Sequence, residues 1–110
     1  MSSELDGEDW DEGFAEEMIG QTILVGITYV NAADEELSLE QVHGVIIGAE
    51  AGSGITVRLQ GARAGEMKTL PPSTSWIEVA DPGDYTLRST GERVTDPDLI
   101  TSYRVRRPDN

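Results

Sequence analysis

A chain of 110 residues, 37% of them apolar, is long enough for one hydrophobic core and too short for two. It has no cysteine, which excludes disulfides, thiolate zinc sites and a cysteine nucleophile. Its formal charge of −13 is the reverse of the basic excess that nucleic-acid binders carry, and argues against such a partner.

The charge is unevenly spread. Residues 1–57 hold thirteen carboxylates and no Lys or Arg, whereas residues 58–110 hold eight acidic and eight basic side chains. Met1 to Met18 alone holds eight of the carboxylates, with Trp10 and Phe14 among them. Trp10, Phe14 and Met18 fall on one helical face, although Gly7 and Gly13 weaken a helix. Residues 1–18 therefore read as an acidic extension, either a short docked helix or a mobile tail. The acidic start lacks a secretory signal, and the apolar stretch Ile23–Val30 is too short to span a membrane. A cytoplasmic protein without membrane contact is expected.

From Ile19 the signals are β. Ile23, Val25, Ile27 and Tyr29 alternate on one face of a first strand, and Asn31–Ser38 is a polar loop. Leu39–Ala49 reads as a second strand, with a bulge or bend at Gly44 and Gly48. Ala51–Gly54 is a tight turn. Ile55, Val57 and Leu59 then alternate with polar residues in a half-buried third strand. Glu66–Leu70 is a short strand stopped by Pro71-Pro72, Ser73–Trp76 a single turn, and Ile77–Val79 another short strand. Asp81–Asp84 has the Pro-Gly pattern of a type II turn, and Tyr85–Arg88 follows as a strand. Leu99–Val105 closes the series, with Leu99, Tyr103 and Val105 facing inward.

Short strands with turn chemistry every eight to twelve residues predict a small antiparallel, all-β, SH3-like barrel over residues 19–107, followed by a tail at 108–110. Pairing of the first and last strands would help to close its edges.

The stretches Ile19–Tyr29, Gln41–Val45, Leu70–Pro72, Pro82–Glu92 and Asp96–Asp98 resemble a family of small uncharacterised bacterial proteins. The resemblance covers about residues 19–105. It implies a compact β domain and brings no activity with it.

Few residues invite chemistry. His43, the only histidine, shares parity with Val45 and Ile47, so it is expected to face the interior near a barrel end as a possible ligand contact. Reading Asp6–Gly13 as a calcium loop puts Trp10 and Ile19 at ligand positions, so no metal site follows. Gly61–Thr69 lacks the spacing of a phosphate loop, so no nucleotide or other cofactor is nominated. Arg58, Arg104 and Arg106 lie on polar strand faces and form a basic strip if those strands are neighbours. Asp9, Trp10, Asp11, Glu12 and Phe14 make an acidic, aromatic-bearing surface suited to a basic protein partner.

The leading expectation is a non-enzymatic interaction module acting through that acidic surface. The alternative is a nucleic-acid-binding barrel autoinhibited by its acidic tail.

Overall fold

A computed structural model describes residues 10–107. The first element among the described residues is a seven-residue helix, α1 (Glu12–Met18). Asp11 caps it by accepting a hydrogen bond from the Phe14 amide at 3.1 Å. A helix this short does not hold without tertiary packing. Ala15 and Met18, three residues apart, are buried, and Trp10 and Phe14 pack against the same core. The Asp11 amide also donates to Thr74 Oγ1 at 2.8 Å. Over residues 10–18 the expected docked helix is the form present. Residues 10–18 thus share the domain's core, and the expected boundary at Ile19 does not mark its edge. Asp9 lies outside the described residues.

Among the described residues, eight strands follow. They are β1 (Thr22–Val30), β2 (Glu36–Glu50), β3 (Gly54–Leu59), β4 (Met67–Leu70), β5 (Ile77–Val79), β6 (Asp84–Thr86), β7 (Arg93–Thr95) and β8 (Leu99–Arg106). Six form one sheet in the order β4-β3-β2-β1-β8-β5, and β6 pairs with β7 in a separate hairpin. Neighbours in the large sheet are antiparallel except β1 and β8, which run parallel from Ile23/Leu99 to Val30/Arg106. The expected pairing of first and last strands is therefore present, at the middle of the sheet.

The sheet curls around one core. Ile23, Val25 and Ile27 of β1 meet Val42, Ile46, Val57, Leu70, Ile77 and Leu99 on its inner face, under Met18 of α1. The outer face has a smaller core where the β6–β7 hairpin lies over it, with Leu87 and Val94 against Leu24. β7, which the sequence reading lacks, is only Arg-Val-Thr between two turns, too short to show an alternation.

The architecture is all-β as expected, but the barrel does not close. Among the described residues, β4 and β5 are the two ends of the sheet and pair with no further strand. β4 has four residues and ends at Pro71-Pro72, whose nitrogens carry no donor, and β5 has three. Edges so short and so interrupted cannot zip together.

β2 has the opposite parity from the one expected. Val42 and Ile46 are buried, whereas Ile47 is exposed, so His43, Val45 and Ile47 lie on the outer face. The run Val45-Ile46-Ile47 has no alternation to read, and a register shift between Ile46 and Gly48 adds a residue there. At Gly44 the strands approach so closely that an added Cβ would lie 2.1 Å from the Arg58 carbonyl oxygen. No helix among the described residues is long and apolar enough to cross a membrane.

Candidate functional site

Two adjoining features concentrate polar and aromatic chemistry, and Tyr103 belongs to both. The first lies at one end of the curled sheet. Glu40 is opposite Ile27 in the β1–β2 register, with the inward parity of Val42. A carboxylate there must be compensated, because removing charge from water is costly unless it is paired and hydrogen-bonded. Tyr29 Oη donates to Glu40 Oε1 at 2.6 Å, Lys68 Nζ donates to the same oxygen at 3.2 Å, and Arg63 pairs with Oε2. Arg63 comes from the 3₁₀ turn Gly61–Arg63 and also bonds Glu66 at 2.8 Å. The Arg107 guanidinium sits 4.3 Å over the Tyr29 ring.

The electrostatics follow from these contacts. Burial pushes the Glu40 carboxyl up, but hydrogen bonds from Tyr29, Arg63 and Lys68 outweigh it and hold the group down at about 2. Tyr29 is raised, chiefly by its bond to Glu40. Tyr103 is pushed up to about 12, first by burial and then by Tyr29 and Glu40. Glu40 is therefore a locked anion, with Lys68 and Arg63 committed to it.

The second feature is a groove of about 760 Å³ on the outer face of the sheet, running from Gln41 of β2 and Gly26 of β1 across Ser102 and Arg104 of β8 to Trp76 and Glu78 at the open side of β8. β5 covers β8 only from Leu99 to Thr101, so Ser102–Arg106 has no neighbour on that side among the described residues. Trp76 stands where β5 ends, 49% exposed, its ring tilted against Tyr103 with centroids 5.6 Å apart. Thr101 Oγ1 donates to the Trp76 carbonyl at 2.6 Å and fixes the turn that carries the indole. Gly26 leaves the groove floor low, since a Cβ there would meet only Ser102 Cβ at 3.8 Å.

The residues nominated from sequence are not brought together. His43, on the outer face, meets Glu92 of the hairpin at 3.3 Å, and the Ala62 amide donates to the same carboxylate at 3.0 Å. This contact ties hairpin to sheet. Arg58 lies opposite Val45, and hence level with Thr22, whereas Arg104 lies level with Thr28. Three strand intervals and six residues along the strand separate Arg58 from Arg104, roughly 20 Å or more. The basic strip therefore does not exist. Arg104 and Arg106 share Asp34 instead, at 3.2 and 3.5 Å.

Trp10 and Phe14 are turned onto their own core, and Trp10 Nε1 donates to Glu12 at 2.9 Å. What α1 presents outward is carboxylate: Glu12, Glu16 and Glu17 are exposed. Among the described residues, no group of three His, Asp or Glu side chains is placed to hold a metal.

Glu40, Lys68 and Trp76 escaped the sequence reading. The signal for Glu40 was its parity with Val42, which puts a charged residue on an apolar face. The chain matches no known protein family, and neither a curated protein nor a solved structure is significantly similar to it.

Proposed function

We propose that this protein is a non-enzymatic interaction module, an SH3-like small β domain, and that its contact surface is the Trp76–Tyr103 groove on the open side of β8. One observation carries the reading: a half-exposed tryptophan stacked on a tyrosine beside a strand segment that, among the described residues, has no strand partner. Aromatic side chains at a concave, partly apolar surface are what protein contacts draw on for affinity.

The acidic face of α1 acts at longer range. With a net charge of −13, the molecule favours a partner surface that is basic overall, and this raises the encounter rate more than the final affinity. The groove supplies the contact itself. A binding role is also compatible with the Glu40 cluster, in which the carboxylate is committed to Tyr29, Arg63 and Lys68.

The test is selection of a random peptide library on the native chain and on Trp76→Ala. Enrichment on the native chain that is lost on the variant is expected. An absence of enrichment, or enrichment that survives the substitution, overturns the groove reading.

A further inference from the structure

The direction of the β8 backbone bonds says what kind of ligand the groove takes. The Ala80 amide donates to the Asp98 carbonyl across the β5 side, and the Arg107 amide donates to the Val30 carbonyl across the β1 side. Backbone groups alternate sides along a strand, so odd-numbered residues of β8 bond to β1 and even-numbered ones aim at the free side. The peptide groups of Ser102, Arg104 and Arg106 therefore point out from the open edge of β8, on the side where Trp76 stands, as a short ladder of donors and acceptors. Side chains alternate across the same segment. Tyr103 and Val105 pack toward the inner core, and Arg104 and Arg106 stand on the opposite face, 63% and 62% exposed.

Resting on the groove reading above, we propose that β8 binds its partner by strand addition, and that the added strand alternates apolar residues with acidic ones. Apolar side chains would lie beside Tyr103, Val105 and Trp76, and carboxylates beside Arg104 and Arg106. Charge complementarity selects this occupant. Two arginines on one short edge repel a second copy of β8 laid against the first, which disfavours self-pairing. Their present partner, Asp34, is 55% exposed and serves both, and exposed pairs of this kind are worth little, so an incoming carboxylate displaces or shares it at small cost. The long-range and short-range preferences differ in sign. The whole molecule favours a partner that is basic overall, whereas the edge favours acidic side chains at alternate positions of one strand.

Two peptides of identical composition separate these terms. One has a Val-Glu-Val-Glu-Val core flanked by lysines, the other a Val-Lys-Val-Lys-Val core flanked by glutamates. Both are titrated against the full chain by tryptophan fluorescence, with amide hydrogen exchange read by NMR. The acidic-core peptide is expected to bind about tenfold more tightly. It is expected to protect the Ser102, Arg104 and Arg106 amides, and to lose binding when its β8-facing nitrogens are methylated. Arg104→Ser, an exposed change, is expected to erase most of the preference.

Equal affinity for the two cores, binding without protection of those amides, or binding that survives methylation overturns strand addition. If Trp76→Ala still abolishes library enrichment in that case, the groove reading stands without it. Binding of neither peptide also overturns strand addition, and a library that fails as well removes both.

Discussion

At the scale of single residues, Glu40 shows how a charge is kept on an inward-facing position. Three donors converge on it, and without them its burial would raise the carboxyl pKa. In the unfolded chain it titrates near 4.5, and in the folded chain near 2. The folded state therefore binds this proton less tightly. The resulting stabilisation is complete above about pH 4.5 and is lost as pH falls from there toward 2. Glu40→Gln keeps the shape but leaves Lys68 and Arg63 without their shared anion. It is expected to cost about 1–2 kcal/mol at pH 7, a modest figure because water still reaches the cluster. Urea denaturation at a series of pH values should show a shallower acid limb in the variant, and superimposable limbs would remove Glu40 from the acid response. Little of this was legible in the sequence. Parity with Val42 marks Glu40 as inward, but Arg63 and Lys68 lie 23 and 28 residues further along and meet it only through the β2–β3–β4 meander. Trp76 was passed over for a similar reason: a turn residue has no periodicity, and its exposure depends on where β5 ends.

At the scale of elements, α1 and β2 are the instructive cases. The spacing of Trp10, Phe14 and Met18 identified the buried face of α1 correctly, because a helical stripe is legible in eight residues. Whether that face met its own domain depended on tertiary contacts such as Asp11 to Thr74, 63 residues apart. Met18 is fully buried, so Met18→Ala is expected to cost about 2–5 kcal/mol. Glu17→Ala, on the exposed face, should stay within about 0.5 kcal/mol. Urea midpoints of the two variants check this, and equal midpoints would mean that α1 contributes no packing. Deleting residues 1–18 is therefore a core mutation and cannot serve as a neutral removal of charge. β2 is legible over Leu39–Ala49, although it starts at Glu36 within the expected loop, and it is illegible in orientation. Three consecutive apolar residues at a bulge fit either face, and the reading of His43 as inward-facing followed from choosing the wrong one.

For the whole molecule, the sequence conveyed the β architecture well, since Gly, Pro and Asp punctuation separates short alternating runs. Closure was not legible. It depends on whether β4 and β5 are long enough to meet, and two prolines and a three-residue strand decide against it. The charge split resolves into four carboxylates in residues 1–9, four at α1 and its cap (Asp11, Glu12, Glu16 and Glu17), three between β1 and β2 (Asp34, Glu35 and Glu36) and a remainder of −2. A net of −13 on a compact body opposes folding through self-repulsion, and salt screens it. Raising NaCl from about 0.05 M to about 0.5 M at pH 7 is expected to raise Tm by about 2–5 °C in circular-dichroism melts. A falling Tm would mean that the ion pairs around Glu40 and Asp34 outweigh the repulsion.

The parallel pairing of β1 with β8 sets the order in which this chain can be completed. As the polypeptide leaves the ribosome, β1 to β4 can assemble as a meander while one side of β1 waits bare. That side is filled only when Leu99–Arg106, the last of the described strands, has emerged. The nascent chain thus carries an open, apolar strand until that segment is made, at the stage when such surfaces invite misassembly. A chain cut short before Leu99 would lack the strand next to the middle of its sheet, so premature termination should yield an aggregating fragment.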